Sequence, residues 1–457
     1  MRTVITGCAI ATVDAAGTEH VSGHILVEDQ WILAVDAGPV PADLESDRVI
    51  DGSGCLATPG LVNTHHHLYQ WATRGLAQDE KLFGWLTELY PVWAGLDAEI
   101  VGDVAAAGLG WLARTGCTTT TDHHYVFPRE GGDVLDAEIS AARRLGLRFH
   151  PCRGSMDLGA SAGGLPPDNV VEDRDAALTA TAEAIDRYHD PAPDSMLRIA
   201  VAPCSPFSVT SDLMREAAVL ARDRGVRLHT HLAETVEEQA FCRERFRCSP
   251  AEHIEELGWL GDDVWLAHCV HVDDKTIARL AESGTGVAHC PTSNARLGAG
   301  MAPVRSLIDS GVAVGLGVDG SASNEDGSMA AELHAALLMA RVRGGPAALS
   351  ARQSLALGTI GGARCLGRGD EIGSLEVGKL ADLALWRLDG LAHAGIDDPV
   401  AALVLGSRPP LRLLLVNGRP VVEDDVLLNA DEGDLAGAAA RSARQLLGRA
   451  GRTTGAR

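Results

Sequence analysis

Lysine is nearly missing from this chain. Its 457 residues include three, Lys81, Lys275 and Lys379, so chemistry that needs a lysine at a chosen place has few candidates. Phe, Trp and Tyr together make up 4% of the residues, which makes any local cluster of them informative. No two of the ten cysteines are spaced Cys-x-x-Cys. They are scattered through apolar runs such as Ala288-His289-Cys290, as expected of small core residues in a reduced compartment rather than a disulfide framework. No apolar run reaches the roughly 20 residues that a membrane span needs. The start of the chain has no signal-type apolar block. Basic residues are outnumbered, 39 against 62 acidic, for a net charge of −23. That excess argues against nucleic acid or an anionic membrane as partner. The expectation is a cytoplasmic protein with no nucleic-acid and no membrane partner.

Hydrophobic content is 46%, ample for a large core. The first 55 or so residues read as short strands between turns: Thr3–Val13, His24–Val35, then Val49-Ile50. The same texture returns near residue 371, with Ala381–Trp386, Leu411–Val416 and an Asn417-Gly418 hairpin signal. Asp434–Leu447 reads as a helix, and Gly451–Arg457 as a loose tail. Residues 1–56 and 371–457 are therefore expected to form one composite β-sandwich domain with a C-terminal helix. The middle, 57–370, alternates strands with helical stretches such as Ala98–Arg114 and Ser211–Arg224, the latter with Ser211 as N-cap candidate. Eight such units, ending near His67, His123, Arg153, Pro203, His231, His268, Pro291 and Asp319, predict an α/β fold, a (β/α)8 TIM barrel. In that fold the chemistry sits at the C-terminal strand ends, where these polar residues fall.

The segment Pro59–His67 is an apolar strand ending in His65 and His67. Alternation along a strand points both to one face. Leu228–Glu234 brings His231 and Glu234, Trp265–His268 brings His268, and Gly315–Asp319 brings Asp319. Three imidazoles and a carboxylate (His65, His67, His231 and Asp319) suit one divalent metal with a position left open. Zn2+ is the first expectation and Fe2+ the other, since ligand type does not separate them. Such a metal lowers the pKa of bound water to about 7. Glu234, three residues past His231, is placed to move protons. His268 is placed to polarise a heterocycle or orient the nucleophile. The remaining polar residues take plainer readings. His66 packs away from the site, His229 supports the ligands, and His253 and His271 lie at the surface. His289 lies under the site, Asn294 shapes its loop, Asp122 partners a histidine, and Cys204 packs.

Taken together, Pro-Gly-Leu-Val-Asn-x-His-x-His, His-x-His-x-x-Glu, Ala-His-Cys, His-Cys-Pro-x-Ser-Asn and Gly-x-Gly-x-Asp resemble the amidohydrolase superfamily. The branch is the cytosine deaminase and chlorohydrolase-like group. The resemblance implies that His65, His67, His231 and Asp319 ligate the metal and that Glu234 is the proton shuttle. It implies that His268 contacts substrate or nucleophile, that Asp319 takes a proton from the attacking water, and that the chain forms a homo-oligomer. Binuclear members carry a carboxylated lysine at the fourth strand end. Here that end is Ile199–Pro206, without lysine, which favours one metal and ring deamination.

The segments His67–Trp71, Leu82–Leu86, Tyr90–Trp93, Thr119–Pro128 and Pro203–Val209 are similar to those of the 8-oxoguanine deaminases of this group. Relatives acting on S-adenosylhomocysteine usually have histidine where Cys204 stands. The implied substrate is a small heterocycle. Aromatic residues in the first loop would wall a planar ring, and Gln70 would pair with an N–H/C=O edge. Arg153 or His124 would meet a second carbonyl, while Tyr125 and Cys204 would line the pocket. Deamination or dechlorination of isocytosine, guanine or an s-triazine stands as the alternative. Hydrolysis of an acyclic guanidine and a non-catalytic barrel are more remote.

Overall fold

Eight parallel strands close into a barrel. In chain order they are β1 (Leu61–Asn63), β2 (Cys117–His124), β3 (Arg148–Ser155), β4 (Ala200–Pro203), β5 (Leu228–Leu232), β6 (Val264–His268), β7 (Gly286–His289) and β8 (Val314–Leu316). The ring closes where Leu316 of β8 pairs with Asn63 of β1. The computed structural model describes residues 1–452, so the tail expected to be loose lies, from 453 onward, outside the described residues. Every barrel-strand residue is buried, as helices on the outer face of a parallel sheet require. The expected (β/α)8 barrel is the fold of this chain.

The helices between strands begin and end where the chain supplies caps. Ala98–Arg114 starts at Asp97, whose side chain accepts the Ile100 N–H. Ser211–Arg224 is capped by Thr210, not by the expected Ser211, and ends at Gly225 with φ +65°. Only a residue without Cβ takes that left-handed turn at no cost.

Strands from both ends of the chain form one nine-stranded sheet. Its two halves meet where Leu383–Arg387 runs antiparallel to Cys55–Pro59. Ile5, Ile25 and Ile32 from one half share an apolar core with Leu383, Leu413 and Leu415 from the other. The expected His24–Val35 run is two strands, Glu19–Glu28 and Trp31–Ala37, parted at Asp29 with φ +53°. Asn417 and Gly418 both have positive φ and link Leu411–Val416 to Arg419–Glu423, as a primed hairpin turn demands. A buried ion pair ties sheet to barrel: Arg148, at the start of β3, donates from Nε and Nη2 to Asp382 at 2.9 and 3.0 Å. Among the described residues no helix is long and apolar enough to cross a membrane.

Candidate active site

Six histidine rings crowd the C-terminal end of the barrel. His65 and His67 do converge, with ring centroids 4.7 Å apart, but not through one straight strand. Strand β1 stops at Asn63. His66–His67 then pairs with Asp319–Gly320 in a separate parallel ladder beyond the barrel. That second ladder carries Asp319 to the histidines: its Oδ1 lies 3.3 Å from Nε2 of both His65 and His67. His231 brings its Nε2 to 3.1 Å from Nε2 of His67. Ligand atoms of His65, His231, His268 and Asp319 lie within 4.8 Å of one another.

The tautomers follow from the other ring nitrogens. Nδ1–H of His67 donates to the His123 carbonyl at 2.7 Å, and Nδ1–H of His231 to the Cys204 carbonyl at 2.6 Å. His229 donates from Nδ1 to the Trp265 carbonyl and so accepts at Nε2 from His65 Nδ1, both at 2.8 Å. A carbonyl only accepts, so each neutral imidazole must present a bare Nε2 lone pair to the centre. Burial above all holds these rings neutral: His67 is pushed down to about 4, and His65 and His231 well below the ordinary value. For Asp319 burial acts upward, but His65, His268 and His67 outweigh it and keep the carboxylate ionised. Its Oδ2 accepts from Ser293 Oγ at 2.6 Å. Lone pairs of His67 and His231 facing each other at 3.1 Å repel unless a cation lies between them. Buried Nε2 of His65 has no hydrogen-bond partner in the protein. This donor set fits a divalent metal held by His65, His67, His231 and Asp319.

His268 differs from those three. Burial lowers its pKa, yet Glu234 and Asp319 more than offset that and raise it. Its Nδ1 donates to Asn294 Oδ1 at 2.9 Å, and its Nε2 lies 3.6 Å from Glu234 Oε2. The carboxyls of Glu234 and Asp319 favour its protonated form, which sets it apart from the three bare donors. Burial pushes Glu234 up to about 7, so both its forms are populated near neutral pH. Ala233, His268, Cys269 and Asp319 all have positive φ, between +47° and +72°. Such strain in non-glycine residues collects at functional sites.

A narrow cavity opens beside these groups. Leu82, Trp85, Leu86, Tyr90, Phe207 and Leu297 give it apolar walls, and Gln70, Tyr125, Cys204, Ser205 and Ser323 line it further. Burial raises the Cys204 thiol to about 12, so it is no nucleophile. None of the three lysines lines the cavity: Lys81 is exposed, Lys275 reaches Glu252, and Lys379 donates to Gly369 and Ser374.

Two residues expected to meet the substrate lie outside the cavity lining. His124 and Arg153 are register partners across β2 and β3 and do not line the cavity. His124 is held by Glu138 at 2.7 Å and by the Val126 carbonyl. Arg153 forks onto Glu172, with both contacts at 2.7 Å, and lies over Phe127. Strand alternation sends His123 inward and His124 out toward the helix Val134–Leu145 that carries Glu138. Asp122 joins that cluster and accepts the Leu68 N–H at 2.5 Å. His253, expected at the surface, is buried and stacks on Phe246 at 3.7 Å, and His271 is half-buried against the Ala299 carbonyl. The sequence missed Ser293 and Ser323, which share Asp319 Oδ2. Ser293 lies within His-Cys-Pro-x-Ser-Asn, and that was the available signal.

Residues 56–421 match the amidohydrolase family. The chain belongs to that family. This amidohydrolase is 42% identical to the 8-oxoguanine deaminase of Pseudomonas aeruginosa, over 92% of this chain and 94% of that protein. It is 38% identical to an isoxanthopterin deaminase from an unknown prokaryotic organism, over 97% of each. The crystal structure of atrazine chlorohydrolase from Arthrobacter aurescens TC1, complexed with zinc, matches with a TM-score of 0.92. That likeness has 36% identity and covers 96% of this chain and 100% of that one. Family and donor set together make this amidohydrolase a hydrolase that uses a divalent metal.

Two predictions concern that metal. Replacing His229 by Phe removes the acceptor that orients His65, and metal affinity is expected to fall about 10- to 100-fold, read by competition with a chromophoric chelator. Protons compete with metal for imidazole, and a depressed pKa moves that competition to lower pH. Affinity should therefore hold steady from neutral pH to about pH 5 and drop only near the His67 value of about 4. A decline already starting near the ordinary histidine pKa of about 6.5 would contradict the buried, neutral donor set.

Proposed function

We propose that this amidohydrolase is a hydrolytic deaminase of a small amino-substituted heterocycle, with 8-oxoguanine as substrate and urate and ammonia as products. The observation that carries this reading is Glu234. Its buried carboxyl is poised near neutrality, at the edge of an apolar cavity and beside the converging donors. A bound divalent metal, with Zn2+ the first choice and Fe2+ the other, supplies Lewis acidity that makes water a nucleophile at neutral pH.

The side chains do the rest. Glu234 gives a proton to the ring nitrogen next to the amino-bearing carbon, which makes that carbon electrophilic. The oxygen of one water is added there. Asp319 and Glu234 move the protons that let the amine leave as ammonia. His268 holds the reacting oxygen through Nε2–H. With 8-oxoguanine the carbon attacked carries the 2-amino group, and the incoming oxygen becomes a carbonyl of urate. Trp85, Tyr90 and Phe207 exclude water and flank a planar ring, and buried Gln70 Oε1, which has no partner in the protein, accepts a ring N–H. With His124 and Arg153 turned away, the second carbonyl of the substrate meets Ser205 or Ser323 instead.

The name and 42% identity of the Pseudomonas relative support this substrate over a triazine. The chlorohydrolase likeness makes dechlorination the second reading. The test is ammonia release from metal-loaded protein given 8-oxoguanine, with ultraviolet spectra followed to urate. Isocytosine, guanine, an s-triazine and S-adenosylhomocysteine run beside it. Efficient turnover of 8-oxoguanine is the expected result. Inactivity on it with turnover of another amine would replace the substrate and keep the chemistry.

A further inference from the structure

Glu234 stands on a short turn. Strand β5 ends at Leu232 and a helix, Val236–Arg245, begins two residues after Glu234. Ala233 between them has φ +50°, a conformation an alanine does not keep without help. The help is visible. Glu238, in the first turn of that helix and fully buried, accepts the Ala233 N–H at Oε1 and the Glu234 N–H at Oε2, both at 2.9 Å. Its own N–H donates to the capping Thr235 Oγ1 at 3.4 Å. The Ala233 carbonyl accepts from the His271 N–H at 2.9 Å, and Gln239 Nε2 donates to the His271 carbonyl at 3.0 Å. The loop after β5 is thereby stitched to the loop after β6, next to His268. Glu238 itself does not line the cavity.

We infer that Glu238 is a positioning residue of this reaction. Its carboxylate clamps two successive backbone N–H groups, which selects the left-handed Ala233 turn and aims the Glu234 carboxyl at the cavity, opposite His268. A chain without the clamp relaxes Ala233 to negative φ and swings Glu234 away. The inference rests on the proton-shuttle reading above. An amide at position 238 cannot replace the carboxylate, because its NH2 would face one of the two N–H donors.

The test is a cycle of Glu238→Gln, Glu234→Gln and the double variant, assayed with bound-metal stoichiometry and circular dichroism. E238Q is expected to lower kcat by about 100-fold, the order that a misplacement of about 1 Å costs, with KM and metal content unchanged. In the E234Q background the same substitution should cost nothing further, because the group it positions no longer works. A wild-type kcat in E238Q, or an equal further loss in the E234Q background, overturns the inference. The second outcome would mark a merely structural role. An E234Q variant with near-normal turnover is a different result, since it removes the shuttle reading itself. Should E238Q not accumulate folded, Glu238→Asp keeps the charge but falls one methylene short, and it is measured against the same outcomes.

Discussion

Glu234→Gln is expected to lower kcat by roughly 100- to 10 000-fold, the usual contribution of a positioned acid–base group. Metal content and substrate affinity should stay close to those of the parent. The substitution keeps shape and polarity, so it isolates proton transfer. Glu234 is buried at 3% exposure and lies 3.6 Å from His268 Nε2. Burial places its pKa at about 7, where one group both takes and returns a proton without leaving its place. A glutamine donates a hydrogen bond but cannot take up the proton. Steady-state kinetics with metal analysis of the same sample decide the matter. Near-normal kcat in the variant would reject the shuttle role.

Asp382→Ala should cost about 3–5 kcal/mol of stability, the range for removing one partner of a buried ion pair. Arg148 is fully buried and forks onto both oxygens of Asp382. Asp382 Oδ1 also accepts the Asn417 N–H at 2.7 Å. The alanine would leave the guanidinium charge unpaired between barrel and sheet and the Asn417 N–H without its acceptor. The exposed pair Arg305–Asp309, with side chains 38% and 58% accessible, is the control, and Asp309→Ala should cost no more than about 1 kcal/mol. Urea unfolding reads both, as a lowered midpoint at unchanged slope. Equal midpoint shifts would show that burial is not what gives the Arg148–Asp382 pair its weight.

Much of the site was legible because local rules sufficed. A polar residue at the end of each short apolar run marks a barrel mouth, and His231 with Glu234 three residues on brings a ligand and a proton carrier to one rim. Ala98–Arg114 and the Asn417-Gly418 turn follow equally from caps, periodicity and positive φ. His124 shows where local rules stop. Beside His123 in sequence, it belongs to a different environment because its partner, Glu138, arrives on the next helix. Arg153 is taken from the pocket by Glu172, a residue 19 positions away that no spacing pairs with it.

The sequence by itself therefore determined the alternation of strand and helix and the residue types of the metal site. It also determined the lack of a lysine at the fourth strand end. Only the tertiary structure decided which nitrogen each histidine presents, because the acceptors at Cys204, His123, Trp265 and Asn294 sit on other strands and loops. It also decided which polar residues reach the cavity. Side-chain chemistry is written residue by residue, but the tautomer, charge and direction of a buried group are set by whatever the fold packs against it.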